Sequence, residues 1–385
     1  MSTTDPPQPI PGARLLFSLD PAVAYLNHGA FGAVPIGVQR AQQRLRDEME
    51  ANPVRFFTVG LQEREAHVRA HLANFLGADP DLSALVDNAT TGVALALNTL
   101  ELKPGDEVVT TNHGYGAVRL AVDAWCRRTG TVHRVAKLPL SPDDDTVIAA
   151  VRKACSGSTR CIITDAIASA TAHHFPSVRL AALSRELGVP LVVDAAHAPA
   201  TLTTPVREIG ADFWVGNLHK WAFAPRGTAL FCVAPRWRER IRPLAMSWHQ
   251  DEGFPANVEF GGVRDYTPWL AAPTGLFTLR QLGVDRVREH NIRLAAYGQQ
   301  VLGRAVGTSE LPDNPEVPMR LIPLPAGVAT EPGPARALRD RISDELGVET
   351  SVQAFDGRGV LRICAQVYNQ PAEYERLAVG LRRLL

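Results

Sequence analysis

An aspartate that ends an apolar run, and a lysine set among apolar and aromatic neighbours, are the residues of this chain whose types could do chemistry together. Residues 191–194 (Leu-Val-Val-Asp) are typical of a buried strand that ends in a carboxylate. Residues 217–221 (Asn-Leu-His-Lys-Trp) follow and offer the amine. Pyridoxal phosphate (PLP) chemistry needs a lysine that forms a Schiff base and an acid that keeps the pyridine nitrogen protonated. Asp194 and Lys220 therefore predict a PLP site.

Two upstream segments could hold the rest of such a cofactor. Asn88, Ala89 and Thr90 stand before an apolar helical run, and a helix start of this kind presents free N–H groups to an anion such as a phosphate. Taken alone, this segment is more often an ordinary helix cap. His113 and Tyr115 follow a predicted strand, and either a ring that stacks on the pyridine or a surface turn fits them.

The elements that must position these residues alternate along the chain. Strand patterns at 106–111, 159–165, 189–194, 212–216 and 227–233 are separated by helical patterns such as 117–128 and 178–187. Such alternation indicates a mostly parallel sheet covered by helices, in which ligands bind beyond the carboxyl ends of the strands. Asp165, Asp194 and residues 217–220 are therefore expected to meet in one crevice. We expect an N-terminal arm (1–24) packing with the small domain, a large domain (25–272) and a smaller α+β domain (273–385).

Composition narrows the function classes. The 385 residues include 40 Lys plus Arg and 40 Asp plus Glu, so the balance gives no reason to expect nucleic acid or an acidic membrane as a partner. No apolar run is long enough to span a bilayer, and no signal-peptide pattern is present. The five scattered cysteines form no CxxC pair, so we expect no metal site, no disulfide framework and a cytoplasmic location.

Beyond these residues, several segments keep one family's order: 25–32, 52–56, 88–91, 111–118, 194–199, 210–213, 216–221, 264–265 and 361–369. In them the chain resembles fold-type I PLP enzymes of the class V aminotransferase superfamily, most closely the isopenicillin N epimerase-like branch that neighbours the cysteine desulfurases. The resemblance implies an aspartate aminotransferase-like α/β fold. Its large PLP-binding domain would have a mostly parallel seven-stranded sheet sandwiched by helices, and its smaller C-terminal domain would be α+β. It also implies a homodimer with shared active sites.

The resemblance assigns the chemical roles. Lys220 would bond to the cofactor and move the proton at Cα, Asp194 would pair with the pyridinium nitrogen, and His197 would reach the ring hydroxyl. The remaining cofactor contacts would come from Asn88, Ala89, Thr90, Asn217 and His219 at the phosphate and from Tyr115 on the ring, with His113 as a less favoured alternative.

The resemblance also assigns the substrate side. Arg362 would bind the α-carboxylate of an amino acid in a two-pronged salt bridge. Asn27 and His28 would line the entrance, and Ser169 would lie at the same pocket. Arg264 would come from segment 259–267, which reaches across from the partner subunit.

Two segments depart from the family pattern. Residues 260–263 (Phe-Gly-Gly-Val) lack the threonine whose hydroxyl relatives give to the partner's phosphate. Residues 165–171 (Asp-Ala-Ile-Ala-Ser-Ala-Thr) lack the His, Thr and Pro that usually follow the aspartate. Because both changes fall at the pocket, they suggest a substrate or reaction different from that of the name-giving enzyme.

Four reactions remain to be compared. A cysteine desulfurase needs a mobile cysteine before Arg362, and residues 347–361 contain none. Nothing argues for or against an aminotransferase. An amino-acid epimerase needs a second acid/base group opposite Lys220, whereas a C–S β-lyase needs only Lys220.

By family analogy we favour PLP chemistry on an S-substituted cysteine in secondary or thiol metabolism, by β-elimination or by decarboxylation-coupled deamination. The epimerase is the alternative. A non-catalytic PLP-fold regulator is disfavoured because Asp194, His197, Lys220 and Arg362 are all retained.

Overall fold

The computed structural model describes residues 5–312 and 314–385, so residues 1–4 of the predicted arm lie outside the described part. The strands are β1 Ala24–Tyr25, β2 Ser83–Val86, β3 Glu107–Thr111, β4 Val132–Ala136, β5 Thr159–Asp165, β6 Leu191–Asp194, β7 Phe213–Asn217, β8 Ala229–Val233, β9 Met319–Pro323, β10 Val348–Glu349, β11 Ser351–Phe355 and β12 Arg358–Cys364. The helices are α1 His28–Phe31, α2 Ile36–Ala51, α3 Pro53–Thr58, α4 Leu61–Leu76, α5 Ala89–Thr99, α6 Gly116–Thr129, α7 Asp144–Ala154, α8 Ser177–Leu187, α9 Val206–Ile209, α10 Ala256–Glu259, α11 Thr267–Leu282, α12 Val284–Val306, α13 Pro332–Leu346 and α14 Pro371–Leu384.

A seven-stranded sheet forms the centre of the large domain, in the order β2-β8-β7-β6-β5-β3-β4. Neighbours from β4 to β7 pair in parallel, and β8 pairs antiparallel with both β7 and β2. Every residue of β6 and β7 is buried, as expected for strands with helices on both faces. The predicted α/β fold with a mostly parallel seven-stranded sheet is confirmed.

Strand β4 and helix α7, which lie between α6 and β5, were not predicted from the sequence. Strand β4 is an edge strand, and its first four residues are exposed or half-buried because only β3 pairs with it. His133 and Arg134 interrupt the apolar pattern that would have marked it. An edge strand with one solvated side therefore gives a weak signal.

The C-terminal part builds a three-stranded antiparallel sheet, β11-β12-β9, packed with α12, α13 and α14. A separate two-stranded sheet connects the N-terminal segment to this part, because Ala24 and Tyr25 of β1 pair in parallel with Val348 and Glu349 of β10. Arg362 lies in the central strand of the three-stranded sheet, on β12. No helix among the described residues is long and apolar enough to cross a membrane.

Helix α5 lies so close to the central sheet that only a glycine fits at position 92. A Cβ there would stand 2.5 Å from Cγ2 of Val215, in the middle of β7. Both residues are buried, so the side chain has little room to move. Since Asn88 and Thr90 stand at the start of this helix, the close approach also sets where the predicted phosphate seat lies.

Replacing Gly92 with alanine should destabilise the protein by about 1–3 kcal/mol, the usual cost of overpacking a core. Gly333→Ala is the matched control, because that helical glycine has no atom within 4 Å of the added Cβ. The control should be as stable as the wild type or slightly more stable. Urea unfolding followed by circular dichroism measures both variants. Equal stability of Gly92→Ala and the wild type would contradict the close approach.

Candidate active site

Three parallel strands deliver their last residues to one edge of the central sheet. Asp165 at the end of β5 is the register partner of Asp194 at the end of β6, and β7 ends beside them at Asn217. Lys220 follows in the turn after β7. The structure thus brings together the predicted amine and the predicted acid, at the edge where α/β sheets bind ligands.

Lys220 is the centre of this edge. Lys220 is 9% exposed, and its Nζ lies 3.2 Å from Nε2 of His197. Burial lowers the pKa of the Lys220 amine to about 8, although the nearby Asp194 carboxylate works in the opposite direction. A sizeable fraction of the amine is therefore uncharged near neutral pH, as a nucleophilic lysine requires.

The two strand-end carboxyl groups share one dry environment. Burial raises the pKa of Asp194, while the Ala196 N–H, 3.0 Å from Oδ1, and the Lys220 ammonium oppose the rise. Burial and the Asp194 carboxylate together raise the pKa of Asp165 well above its usual range. Only one negative charge of the pair is therefore favoured near neutral pH, and a cationic ring nitrogen beside Asp194 would stabilise it.

The start of α5 offers donors for a phosphate. Asn88 caps the helix by accepting the Thr91 N–H at 2.9 Å. The Ala89 N–H donates to Oδ1 of Asn217 at 2.8 Å, so it would have to give up this hydrogen bond to bind a phosphate, and that contact stays a prediction. Thr90 is exposed, which leaves its hydroxyl open to a ligand, and Asn217 serves the seat by fixing its first turn.

His219 stands between this seat and Lys220. Its Nδ1 lies 3.0 Å from the Thr228 carbonyl oxygen. Burial, reinforced by the Lys220 ammonium, lowers the pKa of His219 to about 4. The ring is therefore neutral in the absence of an anion, and its phosphate-binding role stays a prediction.

The two candidates for ring stacking are placed very differently. Tyr115 is 43% exposed at the start of α6, so one face is open to a ligand. His113 is fully buried, and its two ring nitrogens are bonded to the Thr171 hydroxyl at 2.7 Å and the Pro139 carbonyl at 2.9 Å. Because both ring nitrogens of His113 are hydrogen-bonded within the protein, Tyr115 is the better placed of the two for ring stacking, and a His113 contact with the cofactor stays a prediction.

Arg362 reaches the site from the small domain. One Nη donates to Oδ1 of Asn27 at 2.8 Å, and the other donates to the backbone carbonyl and the hydroxyl of Ser169. The residue is 3% exposed, and its Nε has no hydrogen-bond partner among the described residues. A buried guanidinium with an unsatisfied N–H suits an incoming carboxylate. Asn27 and Ser169 therefore hold the arginine.

His28 does not line an entrance, so that prediction is wrong. The residue is fully buried, with Nε2 3.0 Å from the Lys220 carbonyl oxygen and Nδ1 2.9 Å from the Tyr368 hydroxyl. Burial lowers the pKa of His28 to about 3. This neutral ring joins the backbone of the lysine to the small domain. No clear sequence signal marked Tyr368 beyond its place in the 361–369 motif.

Arg264 contacts the segment just before the phosphate seat within its own chain. Its guanidinium forms an ion pair with Asp87, directly before Asn88, and its Cζ stands 3.9 Å from the centre of the Trp269 ring. The structure therefore places Arg264 beside the start of α5. Its predicted role toward substrate concerns the partner subunit and stays a prediction.

The unusual segment after Asp165 is mostly interior. Ala166, Ile167 and Ala168 are at most 1% exposed, and the Ala168 N–H donates to the His173 carbonyl. Only Ser169 and the residues next to it approach the site, where Ser169 holds Arg362. The small side chains therefore pack the core under the site rather than line the pocket.

The donor set fits PLP. Lys220 offers an amine with a lowered pKa for an aldehyde, and Asp194 offers a strand-end acid for a pyridine nitrogen. The open hydroxyl at the start of α5 suits a phosphate, and the Arg362 N–H that has no partner among the described residues suits an amino-acid carboxylate. Among the described residues, no group of three His, Cys, Asp or Glu side chains could hold a metal ion.

Comparison with known proteins gives one consistent picture. The family described as aminotransferase class-V matches residues 24–318. Isopenicillin N epimerase from Streptomyces clavuligerus is 30% identical over 97% of both chains, and L-cysteine desulfhydrase from Arabidopsis thaliana is 30% identical over 94% of this chain and 88% of the relative.

A solved complex of the cystine C–S lyase C-DES with cysteine persulfide superimposes with a TM-score of 0.79 at 19% identity, covering 94% of this chain and 97% of the other. A C-DES mutant with glycine covalently linked to PLP gives a TM-score of 0.80 at 18% identity, covering 96% and 98%. At this identity the likeness shows the fold.

The lowered pKa of Lys220 predicts how fast the apoprotein takes up PLP at each pH. Because only the uncharged amine reacts, the uptake rate should rise with pH and level off above a midpoint near 8. Asp194→Asn should move the midpoint to lower pH, since the Asp194 carboxylate raises the lysine pKa. Stopped-flow absorbance measures the rate, with free lysine as the reference amine, whose pKa is about 10.4. A rate that still climbs at the pKa of free lysine would contradict the effect of burial.

Proposed function

The chain belongs to the aminotransferase class-V family and uses PLP as its cofactor, and on this premise we propose that it is a β-lyase that cleaves the C–S bond of an S-substituted cysteine. The family and the relatives establish a PLP-dependent lyase or epimerase. The choice between these reactions is the proposal. It is supported by which of the groups around Lys220 can transfer a proton.

Lys220 is the group in the described site that is best suited to move a proton at Cα, because its amine has a lowered pKa. The ring nitrogens of His28 and His113 are already hydrogen-bonded. Cys364 is fully buried, its Sγ accepts the Gly29 N–H at 3.4 Å, and burial raises its thiol pKa. The Tyr115 hydroxyl has no hydrogen-bond partner among the described residues that could relay a proton. One base suffices for β-elimination, whereas inversion at Cα needs a group on each face.

The residues divide the work of such an elimination. Arg362, held by Asn27 and Ser169, binds the substrate carboxylate and fixes Cα relative to Lys220. Bound PLP supplies an electron sink, which Asp194 sustains at the ring nitrogen. Lys220 takes the proton from Cα, and the electron pair of the broken Cβ–S bond leaves with sulfur. The balanced outcome is R–S–CH₂–CH(NH₃⁺)–COO⁻ plus water giving R–SH, pyruvate and NH₄⁺.

The names of the relatives support cysteine-derived substrates. Desulfhydrases from Arabidopsis and rice are 28–30% identical to this chain, and the C-DES structure is that of a cystine C–S lyase. The epimerases, at 30–31% identity, favour the alternative reaction at Cα. The substrate side chain R is the part of the proposal that has to be found by assay.

The test is to incubate the holoenzyme in D₂O with L-cysteine, cystine, a series of S-alkyl and S-aryl cysteines, and ordinary L- and D-amino acids. We expect pyruvate and thiol in equal amounts from S-substituted cysteines. Lys220→Ala should form neither product, while Lys137→Ala, which changes an exposed lysine, should match the wild type. Deuterium at Cα with inversion and no pyruvate would establish the epimerase instead. Release of CO₂ would indicate decarboxylation.

We also propose that the enzyme is a homodimer whose interface borders the phosphate seat. The chain leaves Met246 86% exposed and Trp248 91% exposed, a large apolar surface for a loop. This loop lies against the segment that carries Arg264, since a Cβ on Gly261 would be 3.8 Å from Ala245 and the His249 ring contacts Phe260. A second copy is the occupant that the family resemblance implies for this surface.

Trp248→Glu should convert the dimer to monomer, because a buried charge without a partner is costly at an interface. Light scattering after size exclusion measures the mass, and PLP absorbance measures occupancy. Val379→Glu is the control, because Val379 is 54% exposed on helix α14, away from this loop. A wild-type protein that is monomeric while fully loaded with PLP would contradict the dimer.

A further inference from the structure

Trp221 contacts His28 and His197, the two histidines that are also hydrogen-bonded to Lys220. Its indole ring lies 5.0 Å from the His28 ring, centre to centre, and its Nε1–H donates to Nδ1 of His197 at 3.4 Å. Both Trp221 and His197 are at most 2% exposed, so water does not compete for this hydrogen bond. The family resemblance assigns no role to Trp221 beyond its place next to the lysine.

We propose that Trp221 is a positioning residue that fixes the proton of His197 on Nε2 and so aims an N–H donor at the reactive end of Lys220. An indole N–H can only donate. Nδ1 of His197 must therefore present a lone pair to it, and a neutral imidazole then carries its hydrogen on Nε2. The opposite tautomer would bring two N–H donors face to face in a site that water cannot reach.

The contact on the other side of the imidazole fits this tautomer. Nε2 of His197 lies 3.2 Å from Nζ of Lys220, and an Nε2–H donor requires that the amine accept. Only the uncharged amine can accept, so this contact favours the proposed tautomer above the Lys220 pKa of about 8. The same direction of donation suits the anionic ring oxygen of PLP, once the lysine is bonded to the cofactor. The inference rests on PLP as the cofactor and holds whether the enzyme is a lyase or an epimerase.

Trp221 also connects His197 to the small domain. Its ring packs on His28, which is bonded to the Lys220 carbonyl and to Tyr368. The side chain that orients His197 is therefore itself held by the residues that fix the lysine backbone. A phenylalanine would keep most of this packing and lose only the donor.

The first experiment needs no activity and no cofactor. In the apoprotein with ¹⁵N-labelled histidine, at a pH above the Lys220 pKa of about 8, the His197 resonances, assigned by their loss in His197→Ala, should show an unprotonated Nδ1 and a protonated Nε2. A protonated Nδ1 in the wild type would overturn the proposal whatever the variants do. In Trp221→Phe, the two ring nitrogens should move toward the averaged shifts of a tautomer mixture.

The second experiment follows the visible absorbance of the holoenzyme against pH. An N–H donated to the ring oxygen stabilises its anion, so Trp221→Phe should raise the midpoint of the spectral transition, corresponding to about a tenfold weaker stabilisation, the size of one hydrogen bond. The shift should disappear in a His197→Ala background, because Trp221 acts through His197. An equal shift in that background would mean that Trp221 acts by packing and would overturn the proposal.

Trp237→Phe is the matched control, since that buried indole donates to Asp212 at 2.7 Å on another part of the sheet. It should leave both the histidine resonances and the spectral midpoint unchanged. The proposed role of Trp221 and the proposed lyase reaction can be refuted independently of each other. Unchanged His197 resonances in Trp221→Phe sink only the tautomer lock, whereas a missing pyruvate product sinks only the lyase.

Discussion

The burial of one amine beside two strand-end carboxyl groups is the constraint on which the site depends. In water Lys220 would be charged and unreactive, and in an apolar interior without Asp194 its cation would have no counter-charge. The protein lies between these two cases, because burial lowers the amine pKa to about 8 while the Asp194 carboxylate opposes a larger decrease. Asp165 and Asp194 can occupy neighbouring strand ends because burial favours the neutral form of one of them. A sheet that brought these ends together in water would give a much weaker effect, since water screens both charges.

The second requirement is that three distant segments converge on Arg362. The arginine comes from a strand of the small domain, Asn27 from the chain start and Ser169 from the loop after β5. None of these residues makes the carboxylate site alone. Small side chains at 166 and 168 let that loop sink into the core and place Ser169 against the guanidinium. The departures from the family pattern therefore act on how the arginine is held.

The fold and the reaction centre could be predicted because they depend on local patterns. An apolar run that ends in Asp194 is a buried strand in almost any context, and alternation of such runs with helices fixes the sheet class. The errors concern side-chain direction and long-range partners. Position in a motif did not reveal that the rings of His28 and His113 point into the interior, or that Asn217 takes the Ala89 N–H across 128 residues. The edge strand β4 escaped because a half-solvated strand carries little apolar signal.

The parallel pairing of Ala24 and Tyr25 with Val348 and Glu349 has a consequence for biosynthesis. The ribosome synthesises the central sheet well before residues 348–369, so a nascent chain can contain the strand ends while Asn27 and His28 still lack their partners Arg362 and Tyr368. The turn that carries Lys220 is then connected to the small domain through His28 only after Tyr368 has been synthesised. Assembly of the reaction centre is thus a late event in synthesis, and a chain that ends near residue 340 would lack Arg362 and Tyr368 and therefore a competent site.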